Sequence, residues 1–158
     1  MTQSLIPEFF VYGEPARAID VGFLHVETVL ARASVHRGRV LAHKHPQLAQ
    51  ITFWTSGSGI YRIEDETWSF SAPTVSFMPS GVVHGFDIEP GTDAIVVSVA
   101  DAALAAIAEH SALPLDQPVF VTGRGETALW QRLGETLRMI QAEYAEEQAG
   151  AEKILPPL

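Results

Sequence analysis

The sequence predicts a mainly β protein: one antiparallel barrel or sandwich of short strands followed by a helical C-terminal part. Three observations carry this. From about Phe23 to Val99, apolar and β-branched runs alternate with the turn clusters "SGSG", "EDE", "SAP", "PSG" and "EPGTD", the pattern of many short strands with tight connections. After Ala100 the period changes, with apolar residues at Leu129, Leu133, Leu137, Ile140 and Tyr144, spaced by four, four, three and four along one helical stripe. The chain has 158 residues, 47% of them hydrophobic, enough for one well-buried core and too few for two. A single domain over 1–158 is therefore expected, with a barrel over about 7–100 and a helical region over about 101–150.

The elements follow in order. The N-terminal "MTQSLIPEFFVYGEP" has no basic leader followed by an apolar stretch, so it does not read as a secretory signal. "FLHVETVLARASV" has the length and composition of one or two strands, and "RGRVLAHKHP" follows after a glycine turn. The stretch from Gln50 to Ala100 brings the count to at least six or seven strands. "DAALAAIAEH" then opens on Asp101, a good N-cap, and continues with helix formers. "VFV" at Val119 is compatible with one last short strand. From about Glu126 to Gln148 the helix carries Glu135, Glu143, Glu146 and Glu147 opposite its apolar stripe.

Composition excludes several functions. The most apolar stretch, "AIVVSVADAALAAIA", is broken by Asp101 and is shorter than the roughly 20 residues of a membrane span, so a soluble, cytoplasmic protein without membrane partners is expected. The absence of cysteine removes disulfides and thiolate ligands, so any metal must use His, carboxylate or amide groups. A formal net charge of −9 repels polyanions, and no nucleic acid is expected to bind through this chain.

The chemistry concentrates at "AHKHPQLAQ" and "PSGVVHGF". On a strand, residues two apart share a face, so His43 and His45 point the same way. Gln50 follows His45 by five residues and Gly57 follows Gln50 by seven, while His84 stands three residues after Gly81 in a Pro-x-Gly-x-x-His turn into a strand. If Gln50 faces the interior, alternation puts Thr52 and Trp54 beside it, and Phe86 beside His84. Trp54 and Phe86 then make an aromatic slot for a flat ring, or plain core. Arg62 is a candidate bidentate partner for an effector carboxylate, or a solvated strand residue. His25, Glu27 and Arg32 carry hydrogen-bonding groups that the sequence alone does not orient.

These spacings are similar to the two motifs of the cupin superfamily. In the first, four residues rather than the usual five separate Gly38 from His43. In the second, Pro73 stands in place of the first glycine and Ile88 in place of the final asparagine, while Pro79, Gly81 and His84 match. The resemblance implies a double-stranded β-helix, or jelly-roll barrel, with His43, His45, Gln50 and His84 in the four metal-ligand positions and Gln50 replacing the usual Glu. Three imidazoles and an amide oxygen suit zinc, nickel, iron or manganese and do not choose between them. With no anionic ligand the ion keeps its charge and accepts an external anion. The alternative is a metal-free barrel whose histidines bond an organic ligand directly.

Over about Pro7 to Leu104, including "LHVET" and the series Arg32, His36, His43 and His45, the chain also resembles the N-terminal sensory part of AraC/XylS-type transcription regulators, nearest the branch responsive to 4-hydroxybenzoate or 4-hydroxyphenylacetate. This implies a barrel that binds a small aromatic carboxylate, a helix that forms a homodimer, and DNA contact through a helix-turn-helix part that this chain lacks. Between Gly125 and Glu152 six Glu stand against two Arg, so the last helix is not a DNA reader. The competing function is a stand-alone, metal-dependent cupin enzyme of dioxygenase or isomerase type; replacement of the metal-site Glu by Gln weighs against it, because Gln takes no proton.

Overall fold

The computed structural model describes residues 6–19, 22–112, 114–123 and 127–154, with side chains in the last helix described as far as Glu147. Among the described residues nine strands form two antiparallel sheets: β1 (Leu24–Thr28), β2 (Arg39–His43), β3 (Leu48–Ser56), β4 (Ser58–Ile63), β5 (Glu66–Ser71), β6 (Thr74–Met78), β7 (His84–Ile88), β8 (Asp93–Ala100) and β9 (Val119–Thr122). The five-stranded sheet has the order β1-β8-β3-β6-β9 and the four-stranded sheet β2-β7-β4-β5. This is the mainly β jelly-roll barrel with C-terminal helices that the sequence predicts. The helices are α1 (Ala33–His36), α2 (Asp101–Ala108) and α3 (Ala128–Ile154). None among the described residues is long and apolar enough to cross a membrane.

Two large apolar layers hold the domain, beside a smaller cluster of Phe10, Val11 and Leu48. Between the sheets, Trp54, Tyr61, Ile63, Phe70 and Met78 form a buried cluster, with Phe86 and Phe120 packed against it. On the outer side of the five-stranded sheet, α3 lays Trp130, Leu133, Leu137, Ile140 and Tyr144 over Val26, Phe53, Ile95 and Val97. Central strand β3 is covered on both sides, which is why "LAQITFWTS" reads as a nearly continuous buried run: Ile51 and Phe53 face the helix, while Gln50, Thr52 and Trp54 face the interior.

Gly57 is the single residue between β3 in one sheet and β4 in the other. Its φ is +84°, and a Cβ there would lie 2.1 Å from Thr92 Oγ1, which accepts from Ser58 N and donates to Ser58 O, both at 3.1 Å.

Several local expectations change. "LARASV" is not a second strand; after β1 the chain makes a 3₁₀ turn at Leu30–Arg32 and then α1, because a short apolar run bounded by charged residues suits either state and here caps one end of the barrel. The N-cap of α2 is Ala100, not Asp101. Asp101 occupies the first turn, where its carboxylate accepts from Ser80 Oγ at 2.7 Å. The expected helix start at Glu126 lies outside the described residues. Of the stripe, Leu137 is buried and Leu133, Ile140 and Tyr144 pack on the domain's own sheet, whereas Leu129 is 67% exposed.

Candidate functional site

The inward residues of β2, β3, β4 and β7 divide the barrel interior into two parts. Toward one end lies the aromatic plug of Trp54, Phe70 and Phe120; toward the other lies a cavity of about 50 Å³ whose walls include Val40, Gln50, Thr52, Tyr61, Phe86 and Val96. Glu27, Arg32 and His36 line its side from β1 and the turn after it, and Tyr12 from the N-terminal segment.

His43, His45 and His84 meet in this cavity. All three are buried, and one ring nitrogen from each lies within 4.8 Å of the others. His43 ends β2 and pairs directly with His84 at the start of β7, across a bulge between Val40 and His43. The bulge is possible because residue 85 is Gly: a Cβ there would lie 2.6 Å from the Val40 carbonyl oxygen. His45 lies just beyond β2 and is anchored instead by the N-terminal segment.

The second nitrogen of each ring is occupied. Nδ1 of His43 donates to Leu41 O at 2.7 Å, Nδ1 of His84 to Val82 O at 2.9 Å, and Nδ1 of His45 to Phe9 O at 2.9 Å and Phe10 O at 3.1 Å. Because a carbonyl only accepts, the proton sits on Nδ1 in all three rings and each Nε2 keeps its lone pair. The Nε2 atoms of His43 and His45 stand 3.1 Å apart. Two lone pairs facing at that distance repel unless a cation lies between them. Two nitrogens each about 2.1 Å from one ion are separated by roughly 3.0–3.4 Å over the usual coordination angles, so the observed spacing suits a shared ion.

Electrostatics agree. Burial pushes His43 down to about 4, offset only in part by its bond to Leu41. Burial lowers His45 too, against the raising effects of the Phe9 and Phe10 carbonyls and the Glu27 charge. It lowers His84 well below its ordinary value, with His43 and His45 adding to the effect. All three are neutral ligands at pH 7. Gln50 donates its amide nitrogen to Ser98 Oγ at 3.0 Å, which leaves its oxygen as the remaining donor atom. The residues present therefore fit a borderline divalent ion held by three imidazoles, with Gln50 O as the candidate fourth ligand.

The other sequence-derived candidates divide. Thr52 and Phe86 line the cavity. Trp54 does not: it is fully buried in the plug, edge-on to Phe86 with centroids 5.0 Å apart, and this contact leaves no slot between the two rings. Arg62 faces outward, next in sequence to inward Tyr61, and donates to Asp87 Oδ2 at 2.7 Å. The polar side of the cavity is made instead by Arg32, whose Nε donates to Glu27 Oε2 at 2.6 Å and whose Nη2 donates to Glu14 Oε2 at 3.3 Å. Burial works against the charge of both partners, yet contacts with His25 and Arg32 hold Glu27 below its ordinary range, and Glu27 and Glu14 hold Arg32 above its own.

Tyr61 and Tyr12 are wall residues that sequence reasoning missed. Alternation along "GIYRI" signals Tyr61, whose hydroxyl burial pushes up to about 12 despite the nearby hydroxyls of Ser76 and Thr52. Tyr12 lies on an irregular segment with no period to read; its ring centre is 5.0 Å from that of His43.

Among solved structures, two variants of Streptomyces PAC13 with uridine align at TM-score 0.41, with 12% and 11% identity over 68% of this chain and 74% and 75% of theirs. Bacillus subtilis oxalate decarboxylase, studied for its Mn(II) centres, aligns at TM-score 0.36 with 15% identity over 70% of this chain and 40% of its own. No curated protein sequence matches the chain. A family profile does: that of the AraC-like ligand binding domain matches residues 25–155, and with the jelly-roll barrel and its interior cavity this places the chain in the AraC-like ligand binding domain family.

Proposed function

We propose that the chain is the sensing domain of a transcription regulator and that its effector is a carboxylate, bound with its charge on a divalent ion held by His43, His45, His84 and Gln50. The observation that carries this reading is the convergence of Nε2 atoms whose rings are all oriented by backbone carbonyls. With neutral ligands the ion keeps its charge, so an anion completes the site, and Phe86, Tyr61 and Val40 supply an apolar wall for the rest of the ligand.

The aromatic acid that the sequence suggests meets a size condition. An engineered cavity of about 150 Å³ accepts benzene, and this one measures about 50 Å³. An aromatic carboxylate therefore enters with outward movement of Tyr12, which lies on the irregular N-terminal segment and accepts from Leu41 N at 3.4 Å. Glu27, the one carboxylate lining the cavity among the described residues, is ion-paired and held below its ordinary range, which makes it a poor proton acceptor and favours binding over turnover. DNA contact belongs to another part of the regulator, since this chain is strongly acidic. Homodimerisation is part of the same reading, through apolar residues of α3 and β1 that the sheet leaves exposed: Met139 and Leu24.

Calorimetric titration of the zinc-loaded and chelator-treated protein with acetate, benzoate, 4-hydroxybenzoate and benzamide tests the reading. Carboxylates should bind only with metal present, and benzamide at least about tenfold more weakly, the loss of a charge-assisted contact. Equal binding with and without metal would transfer recognition to Arg32, and product formation would replace sensing by catalysis.

A further inference from the structure

We propose that Glu27, His25 and Tyr144 form a relay around the edge of the five-stranded sheet, tying Arg32 in the cavity wall to α3, so that events at Arg32 and the seating of the C-terminal helix are one coupled equilibrium. The regulatory meaning rests on the cavity being the effector site, as proposed above; the relay itself is a property of the chain without ligand.

The links are contiguous. Arg32 Nε donates to Glu27 Oε2 at 2.6 Å, and the same oxygen lies 3.3 Å from His25 Nε2. His25 Nδ1 lies 3.2 Å from the Tyr144 hydroxyl, and the two rings stand edge to face, with centroids 5.9 Å apart. With the ring proton on Nε2, toward the carboxylate, the Tyr144 hydroxyl donates to Nδ1. One imidazole then spans the distance from a cavity residue to the helix. The side chains of Glu27 and His25 are 15% and 22% exposed, so water screens this path little.

The local fold explains why such a path exists here. β1 is an edge strand, hydrogen-bonded only to β8, and strand alternation puts His25 and Glu27 on one side and Val26 on the other. Val26 packs in the layer with Leu137 and Tyr144, so β1 touches α3 through an apolar contact on one face and through His25 around its free edge. The arrangement has one soft link. The His25 to Glu27 contact is longer and less direct than a full hydrogen bond, whereas the Arg32 to Glu27 contact is short. A further anion at Arg32, beyond Glu27 and Glu14, competes with Glu27 for the guanidinium. Glu27 Oε2 is then held less firmly beside His25, the soft link loosens, and the change reaches Tyr144. Coupling of this kind is reciprocal, so the state of α3 sets the strength of anion capture at Arg32 to the same degree.

A double-mutant cycle read by hydrogen exchange in the full chain tests the relay without any ligand. Arg32→Gln should speed exchange of α3 amides around Tyr144 by about three- to tenfold, Tyr144→Phe should do the same, and the double variant should be no faster than either alone. Arg32→Lys, which keeps the charge beside Glu27, should restore most of the protection. Additive effects, or an α3 indifferent to Arg32→Gln, would overturn the relay. Benzoate provides the functional arm: in the zinc-loaded wild type it should alter α3 exchange, and in Tyr144→Phe it should bind without doing so. If benzoate leaves α3 unchanged although it binds, the relay does not serve sensing. If it does not bind, the effector reading fails and the ligand-free cycle still decides the relay.

Discussion

Trp54 stands edge-on to Phe86, with ring centroids 5.0 Å apart, and this contact is the partition between the dry aromatic plug of the barrel and its polar cavity. Trp54 therefore belongs to stability and Phe86 to both stability and binding. Trp54→Phe should cost about 1–3 kcal/mol in urea unfolding and leave benzoate affinity within about twofold. Phe86→Ala should cost about 3 kcal/mol and change benzoate affinity strongly, since it removes the partition. Loss of binding in Trp54→Phe without loss of stability would place the indole in the ligand site after all.

The proposed metal site makes a second prediction. His43→Ala and His84→Ala should each abolish stoichiometric zinc binding in calorimetry on protein stripped with chelator. Gln50→Glu, by adding the anionic ligand that the site lacks, should tighten binding by about tenfold or more while weakening the response to external carboxylates. Zinc affinity unchanged by Gln50→Glu would show that residue 50 does not reach the ion.

Acid should expose the cost of keeping the three rings neutral. From an ordinary value of 6.5, burial brings His43 down to about 4 and shifts His45 and His84 in the same direction. Below 6.5 the unfolded chain takes up protons that the native state refuses. The metal-free protein should therefore hold its full stability above that pH and lose it as pH falls toward 4. His43 alone accounts for roughly 3 kcal/mol across this window. Urea unfolding at pH 7 and pH 4.5 should show a smaller loss for His43→Gln than for wild type; equal losses would assign the titration to other groups.

Along α3 the prediction separates helix seating from pairing. Leu137→Ala should cost about 2–5 kcal/mol, because Leu137 is buried against the sheet, whereas Leu129→Ala should change stability by less than about 0.5 kcal/mol. Met139→Glu should weaken a dimer in sedimentation without unfolding the monomer. A dimer insensitive to Met139 and Leu24 would have to use another surface.

Much of this was legible in the sequence, and the limits have physical causes. Alternation located the interior faces of β3 and β7, and the His-x-His and Pro-x-Gly-x-x-His spacings brought together three histidines from two strand ends. Alternation says which side a residue faces but not how deep it sits. Trp54 and Gln50 share a face, yet Trp54 meets Phe70 and Phe86 while Gln50 meets Ser98, and those partners come from strands further along the chain. Arg62 could have been placed outside from its neighbour Tyr61. Glu27 and Arg32 are joined only because "LAR" coils back as a 3₁₀ turn, a state that a short apolar run does not announce.

The anchoring of His45 has a thermodynamic consequence. Its ring is fixed by the carbonyls of Phe9 and Phe10, which lie outside the barrel strands, while His43 and His84 are fixed by β2 and by the turn before β7. An ion that engages all three rings cross-links the N-terminal segment to both. The ordering cost of that segment is then offset by metal affinity, and the melting temperature becomes a function of free metal concentration, with about 2.7 kcal/mol of added stability at a hundred times the dissociation constant. With the proposed ion withheld, the segment that carries Tyr12 would be tied to the barrel less firmly, so metal supply would set the order of the cavity wall as well as the charge inside it.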